Sequence, residues 1–173
     1  MIRRKLMMKL PMKPLQVLLL CLPMLALSGC PNTAYFEPTP IANTGKAMVY
    51  FYRPAATNPG AARPLRLSYP EIMVDGNSVG FLKYNRYLAV EVEPGLKEFL
   101  ATGLTPEARW EPKDLSYKLQ MEAGETYFMR LKVEFNTDKM SLGSFKGQYI
   151  INLHPVSNAD AVYEIRHTEE MQQ

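Results

Sequence analysis

Side chains suited to acid–base or metal chemistry are few in this chain of 173 residues. The two histidines, His154 and His167, would have to converge with carboxylates such as Asp160 or Glu164 to form a metal or proton-transfer site. His154 precedes a proline at the predicted end of a strand. His167 falls in the last turn of a predicted helix, where a cation is favoured by the helix dipole. We expect both to be structural, with a metal or small-ligand sensor as an alternative that requires them to meet.

Two acids, Glu91 and Glu93, are the candidates for an acidic groove. Residues i and i+2 of a strand share a face, so these carboxylates could line a cleft together. The sequence contains no serine in a nucleophile-elbow setting and no glycine-rich phosphate loop. We therefore predict no catalytic residue, no cofactor and no metal. The alternative is an accessory hydrolase that acts on cell-wall or carbohydrate material through the acidic groove.

Aromatic and arginine side chains give a stronger indication of binding than the ionisable groups do. Tyr84, Arg86 and Tyr87 are clustered at a predicted hairpin tip, and Arg109 and Trp110 lie together in a predicted loop. Such residues on exposed loops are frequent anchors of binding surfaces, because they offer a large contact area at modest entropic cost. These five residues are therefore our candidates for a partner-binding surface, although the tip residues could instead fold back over the end of the fold.

The N-terminal segment has the pattern of an export leader. Five basic residues occur in the first 13 positions, and an uncharged, mostly apolar run follows at residues 15–27. Those residues would rise about 20 Å as a helix, which is short of the roughly 30 Å hydrocarbon core of a bilayer. The leader is therefore predicted to be a cleaved signal, with Met1, Met7, Met8 and Met12 all open as its start.

The leader ends in Leu27-Ser28-Gly29-Cys30, which resembles the bacterial lipoprotein signal. The resemblance implies that Leu27, Ser28 and Gly29 are signal-peptidase recognition positions and that the Cys30 thiol carries the lipid, acylated with groups such as palmitate, at the new N-terminus. It also implies that Pro31, in place of aspartate, favours sorting to the outer membrane. The alternative is an ordinary secretory leader that ends beside a cysteine.

Removal of this leader changes the charge and the thiol chemistry of the chain. The leader holds five of the 20 basic residues and none of the 17 acidic ones, so the mature chain would carry a small negative charge. We therefore predict no nucleic-acid partner. Cys21 would leave with the leader and Cys30 would be lipidated, so the folded body would contain no disulfide and no thiolate metal site.

The remaining sequence has short apolar or alternating segments separated by Gly- and Pro-containing turns. Strands are predicted at residues 47–52, 72–74, 78–82, 87–92, 96–101, 115–121, 127–135 and 149–153, with an irregular edge segment near Leu65 and Leu67. Asp75-Gly76 indicates a hairpin turn between the second and third of these strands, and apolar residues alternate with polar ones along residues 127–135. Ser157 and Asp160 indicate the start of a short helix, and the polar tail from Thr168 is expected to fray.

This pattern predicts an all-β fold, a small antiparallel β-sandwich of about eight strands with a short C-terminal helix. The predicted organisation is a lipoprotein signal peptide at 1–29, a lipidated flexible tether at 30–46, the sandwich at 47–156, and the helix and tail at 157–173. One domain with its own core suits this length.

Several segments together resemble a family of small bacterial lipoproteins with a domain of unknown function, number 2846. They are Val49-Tyr50-Phe51-Tyr52-Arg53-Pro54, Met73-Val74-Asp75-Gly76 with Val79-Gly80, Val92-Glu93-Pro94-Gly95, and Glu122-Ala123-Gly124-Glu125-Thr126-Tyr127. The middle pieces also look like PEGA-type surface β-modules. The resemblance implies a fold and an envelope setting, and it brings no activity or catalytic residue. We therefore expect a non-enzymatic, lipid-anchored envelope protein that binds or scaffolds an envelope protein or peptidoglycan, at the outer membrane and facing the periplasm.

Overall fold

A computed structural model describes residues 35–56, 63–110, 114–136 and 149–171 of the chain. The predicted leader and the Leu27-Ser28-Gly29-Cys30 segment lie outside these residues, so their assignment stays a prediction. Within the described part, no helix is long and apolar enough to cross a membrane.

The described residues form nine strands, arranged in two sheets, and one helix. In chain order these are β1 (Ala47–Arg53), β2 (Glu71–Val74), β3 (Asn77–Phe81), β4 (Arg86–Val92), β5 (Gly95–Thr102), β6 (Asp114–Met121), β7 (Thr126–Phe135), β8 (Tyr149–Val156), α1 (Asn158–Ile165) and β9 (Glu169–Glu170). One sheet has the order β8-β7-β1-β4-β9 and the other β3-β2-β5-β6. The predicted fold class, a small β-sandwich with a short C-terminal helix, is confirmed.

Strand β1 is the centre of the five-stranded sheet, and its seven residues are all buried. It pairs antiparallel with β4 and parallel with β7, and β4 pairs parallel with β9. The sandwich is therefore mostly antiparallel but contains two parallel pairs. Apolar residues occur on both faces of β1 because this sheet is covered on both sides.

The inner face of the five-stranded sheet packs against the four-stranded sheet. Val49 and Phe51 of β1 belong to this main core, and the Phe51 ring meets the edge of the Phe99 ring of β5 at a centroid distance of 5.4 Å. Alternation along β7 places Met129, Leu131 and Val133 in the same core. From Met129 onward the period-2 pattern of β7 has the expected physical cause, burial of one face, whereas Phe128 is buried on the opposite face.

A second, smaller core covers the outer face of the same sheet. Tyr50, Tyr52 and Phe128 pack there against Ala161 and Ile165 of α1. The helix begins as predicted, with the Ser157 hydroxyl accepting a hydrogen bond from the Asp160 amide at 3.3 Å. This layer explains why a mostly β chain ends in a helix, since α1 removes the apolar outer face from water.

The second half of the predicted tether also contributes to this outer layer. The Phe36 ring meets the Tyr50 ring edge-on at 5.2 Å, and the Thr39 amide donates to the Tyr50 hydroxyl at 2.7 Å. Further along, the Ala42 amide donates to Glu91 Oε1 at 3.0 Å. Residues 35–46 therefore lie along the sheet, and any free tether after Cys30 is shorter than the sequence suggested.

Three segments differ from the sequence-based expectations. The tail does not fray at Thr168, because Glu169 and Glu170 pair with Arg86 and Tyr87 at the edge of the sheet. Strand β8 continues past Leu153 to Val156, and its Pro155 lies opposite Met129; β8 is an edge strand, where a missing amide donor is tolerated. The segment around Leu65 forms turns in place of an edge strand, with Leu65 at a φ of 50°.

The predicted Asp75-Gly76 hairpin turn is present between β2 and β3. Both residues have positive φ, 49° and 79°, a conformation that aspartate and glycine adopt more readily than bulkier residues. Asp75 also joins the turn to β5, because its carboxylate accepts from the Glu98 amide at 2.9 Å and from Lys97 Nζ at 2.7 Å. These hydrogen bonds, the Glu98 amide foremost, lower the pKa of Asp75.

Replacing Asp75 by asparagine should reduce stability at neutral pH but not in strong acid. Asparagine tolerates the same φ and loses the charge that binds the Glu98 amide and Lys97. A carboxyl group whose pKa is lowered by folding stabilises the fold above its unfolded pKa, and this contribution disappears as pH falls through the lowered value. Denaturant unfolding of both proteins across pH should show their stabilities converging in acid. Asp114→Asn, at an exposed aspartate, is the control, and a pH-independent difference would contradict the assignment.

Candidate functional site

A cleft of about 640 Å³ opens at the end of the sandwich where β1 leaves the sheet and the β3–β4 turn lies. Among the residues that the structure describes, its polar lining includes four basic residues, Arg63, Arg66, Lys83 and Arg86, together with Tyr69, Tyr84 and one acid, Glu169. We call this site the basic cleft. Its walls come from the turn segment after β1, the β3–β4 turn and strand β9, which are separate parts of the chain.

Arg53, the last residue of β1, holds one wall of the basic cleft in place. It is 1 % exposed, and its guanidinium donates to the backbone carbonyls of Ser68 at 2.6 Å, Leu65 at 2.7 Å and Pro64 at 3.1 Å. Because these three acceptors belong to one loop, a single side chain fixes the segment that carries Arg63, Arg66 and Tyr69.

Two aromatic rings enclose the same guanidinium. The Arg53 Cζ atom lies 5.6 Å from the centroid of the Tyr84 ring and 5.8 Å from that of Trp110, within cation–π range. Burial lowers the pKa of Arg53 to about 10, with the nearby hydroxyls of Tyr84 and Tyr69 acting in the opposite direction. Arg53 is therefore a buried cation at neutral pH, and its charge is stabilised by carbonyl dipoles and aromatic faces.

The charges that line the basic cleft are unequally paired. Glu169 forms an ion pair with Arg86. In the parts of the chain that the structure describes, no carboxylate pairs with Arg63, Arg66 or Lys83. Lys83 Nζ instead lies 5.7 Å from the centroid of the Tyr69 ring. The basic cleft thus carries an excess of positive charge on a body whose overall charge is predicted to be slightly negative.

Strand β9 closes one side of the basic cleft through a short set of backbone contacts. The Glu169 amide donates to the Asn85 carbonyl at 3.2 Å, and the Met171 amide donates to the Tyr87 carbonyl at 2.9 Å. The Asn85 side-chain amide donates a hydrogen bond to the His167 carbonyl at 2.9 Å. Asn85 can turn towards this tail because it adopts a φ of 56°.

The five residues predicted to bind a partner are divided among four environments. Tyr84 and Arg86 line the basic cleft together. Tyr87 faces the outer layer, where its ring lies 5.4 Å from the Phe36 ring. Arg109 is exposed, with its Nε donating to the Pro106 carbonyl at 3.1 Å. Trp110 is 6 % exposed and belongs to the main core, so the expectation that it is an exposed loop residue is wrong. It packs inward because Arg53 lies beneath it.

The lining residues that were not singled out as site candidates from the sequence include Arg63, Arg66, Tyr69 and Lys83. Arg63 and Arg66 are spaced closely enough to be noticed as a pair. No periodicity or motif in the sequence indicates that they lie near Lys83. Their position depends on the buried Arg53, which holds the loop that carries them.

The histidines weighed as chemical groups, and Glu164, have arginine partners in the described part of the chain. Arg130 donates to His154 Nε2 at 3.2 Å through its Nε and pairs with Glu164, beside a second cleft of about 490 Å³. Burial, followed by the Arg130 charge, lowers the pKa of His154. His167 Nε2 accepts from Arg166 Nε at 3.0 Å. Within the described residues, no group of three or more histidine, cysteine or acidic side chains could hold a metal ion.

The acids proposed for a groove have other partners. Glu91 accepts the Ala42 amide, and Glu93 is 3.3 Å from Lys46 Nζ with its side chain 67 % exposed. Neither lines the basic cleft or the cleft beside Arg130. This arrangement gives the hydrolase alternative no geometric support.

Comparison with known proteins places the chain in a family by its sequence. The model of a family described as a protein of unknown function, DUF2846, matches residues 43–145, which is more than half of the chain. No curated protein matches it significantly. The match covers strands β1 to β7 and both loops that carry the basic side chains of the cleft. The chain therefore belongs to the DUF2846 family.

Proposed function

We propose that this protein is a lipid-anchored module of the bacterial cell envelope that binds another envelope component without catalysing a reaction. The observation that carries the binding role is the basic cleft, a concave site with convergent charged and phenolic side chains and a volume in the range of about 300–1,000 Å³ typical of ligand sites. Its wall is fixed by the buried Arg53, so the site is formed before a ligand arrives.

The anchoring role is supported by the sequence Leu27-Ser28-Gly29-Cys30 and by the leader before it. Acyl chains on Cys30 would hold the protein in the membrane at about 0.8 kcal/mol for each buried CH₂ group. Because residues 35–46 follow the sheet, only a few residues would separate the lipid from the folded body. We propose an outer-membrane location facing the periplasm, which would place the basic cleft near the membrane surface and near peptidoglycan and envelope proteins.

Site-specific photo-crosslinking in intact cells tests this proposal. A photoreactive phenylalanine analogue at Leu67, which is 79 % exposed and lines the basic cleft, is expected to capture one discrete adduct. The same analogue at Leu96, which is 66 % exposed but does not line the cleft, is the matched control. In a Cys30→Ser background the protein should leave the processed membrane fraction, and the adduct should weaken as the protein loses its position.

Equal labelling at the two positions, or none at Leu67, would contradict a binding role for the basic cleft. A Cys30→Ser protein that still fractionates as a processed membrane protein would contradict the lipid anchor. The two parts of the proposal are therefore judged by separate readouts of one experiment.

A further inference from the structure

The basic cleft carries more positive charge than the described chain neutralises. Arg63, Arg66 and Lys83 have no carboxylate partner in the described ranges, and only Arg86 is paired. Like charges that line one concavity repel each other, and the low-dielectric walls of a cleft focus their field. An anion that enters the cleft would relieve this repulsion, so the charge distribution itself favours an anionic ligand.

The types of the side chains narrow the chemistry of that anion. Three of the four cations are arginines, whose planar guanidinium groups match the oxygen pairs of phosphate and carboxylate groups in a bidentate fashion. Tyr69 and Tyr84 add phenolic hydroxyls that can donate to further oxygens. A group with three or four acceptor oxygens can satisfy several of these donors at once, whereas a single carboxylate presents only two.

Each of the two tyrosine rings of the cleft already has a cation of the chain near it, which makes it a less suitable platform for a ligand that stacks bases. The Tyr84 ring covers Arg53, and the Tyr69 ring lies beside Lys83. Single-stranded nucleic acids are usually held by free aromatic faces in addition to positive charge. The ligand is therefore better described by its charged group than by an aromatic portion.

Glu169 gives an internal indication of the same chemistry. It is the acid that lines the basic cleft, and it reaches Arg86 from a strand of only two residues. Its side chain is 72 % exposed, so the contact is at the mouth of the cleft. The Glu169 carboxylate is therefore paired with an arginine to which an incoming anion could otherwise bind.

We infer that the basic cleft binds a phosphate group, carried by a phospholipid headgroup or by a soluble phosphorylated compound, and that Glu169 competes with this group for Arg86. The inference deepens the proposed function, since it assigns a ligand class to the same cleft. It does not depend on the lipid anchor.

The test uses the full chain purified in a neutral detergent and isothermal titration calorimetry. Inorganic pyrophosphate is one probe, and phosphatidylglycerol mixed into the same micelles is the other, with phosphatidylcholine as its neutral-headgroup control. Saturable binding of either probe supports the inference. Binding of phosphatidylglycerol alone identifies a lipid headgroup as the source of the phosphate, and binding of pyrophosphate alone identifies a soluble compound.

Charge-removing variants locate the binding site. Arg66→Gln and Lys83→Gln are each expected to weaken binding about tenfold, in line with the loss of a charge-assisted hydrogen bond. Lys118→Gln is the matched control, because Lys118 is an exposed lysine that does not line the cleft. Glu169→Gln should tighten binding about two- to fivefold, as expected for release of an exposed ion pair. Glu170→Gln, the next residue of β9, should leave it nearly unchanged.

Absence of saturable binding by both probes would overturn the inference while leaving the crosslinking result to decide the proposed function. Equal weakening by Lys83→Gln and Lys118→Gln would show a general charge effect, and would also overturn it. Acetate or sulfate binding as tightly as pyrophosphate would refute the assignment to phosphate. Equal effects of Glu169→Gln and Glu170→Gln would refute the competing role of Glu169.

Discussion

Replacing Arg53 by methionine should lower the free energy of unfolding by about 3–5 kcal/mol. Three hydrogen bonds from a charged donor, each contributing about 1.5–3 kcal/mol, are lost together, and the loss is partly offset because the cost of burying the cation is relieved. Methionine has a similar length and fills much of the same volume, so the change removes the charge and the donors with little cavity formation. The carbonyls of Pro64, Leu65 and Ser68 would lose their donor. Leu65 would keep its unfavourable φ of 50° without the bond that compensates for it.

The loss should also be visible in the basic cleft. The segment held by Arg53 carries Arg63 and Arg66, so its release would disperse the charges that line the cleft. Chemical denaturation measures the stability, and pyrophosphate titration of the folded fraction measures the cleft. Both should decline in Arg53→Met, since one side chain supports the loop and the site.

Two variants separate the hydrogen bonds from the charge. Arg53→Lys keeps the cation but has one nitrogen in place of a planar fork, so it should recover only part of the lost stability. Arg109→Met removes an exposed arginine that also donates to a loop carbonyl, and should cost less than about 1 kcal/mol. If Arg53→Met and Arg109→Met were equally mild, Arg53 would not be the support of the loop.

Replacing Glu164 by alanine should lower the free energy of unfolding by about 2–4 kcal/mol, because the buried Tyr52 hydroxyl and the partly buried Arg130 lose their shared partner at once. The Tyr52 hydroxyl donates to Glu164 Oε2 at 2.8 Å, and Arg130 forms an ion pair with the other carboxylate oxygen. Tyr52 is fully buried, and burial raises its pKa, so its hydroxyl stays protonated and needs an acceptor. Glu164 lies on α1, and its loss would loosen the helix from the sheet.

A double-mutant cycle with Tyr52→Phe isolates the buried contact. Tyr52→Phe alone leaves Glu164 paired with Arg130, and should cost about 1 kcal/mol. The double variant should cost less than the two single changes added together, because no buried hydroxyl is then left without an acceptor. Glu134→Ala is the control, since Glu134 pairs with Lys132 at 3.0 Å on the same sheet with more exposed side chains. Additive effects of Tyr52→Phe and Glu164→Ala would contradict the coupling.

Much of the architecture could be read from local pattern. Alternation along β7 indicated a strand with one buried face, Asp75-Gly76 indicated a hairpin turn, and Ser157 with Asp160 marked the start of α1. Each feature involves residues that are close in sequence, so its pattern is visible within the segment itself even where, as in β7, its cause is burial against another sheet. The predicted leader and Leu27-Ser28-Gly29-Cys30 are also read from a linear order of residue types, and they stay a prediction.

The tertiary structure decided what depends on distant segments. Glu169 and Glu170 have no apolar alternation, and they become a strand only because β4 presents an unpaired edge beside them. Trp110 was expected to be exposed, but the Arg53 guanidinium gives its ring a buried partner 57 residues away in sequence. The basic cleft likewise forms where two loops and a tail meet.

Apolar periodicity and turn residues therefore predicted the β-sandwich from the sequence alone, and the leader with Leu27-Ser28-Gly29-Cys30 is the basis on which a lipid anchor is proposed. The sequence could not show which basic residues line the same cleft. That depends on the position of the loop after β1, which is fixed by hydrogen bonds from the buried Arg53. The sequence supplied Arg63, Arg66, Lys83 and Arg86 as separate surface charges. In the folded chain these four side chains line one cleft. They do so because the hydrogen-bonded guanidinium of Arg53 fixes the geometry of a loop whose conformation is not specified by local propensity.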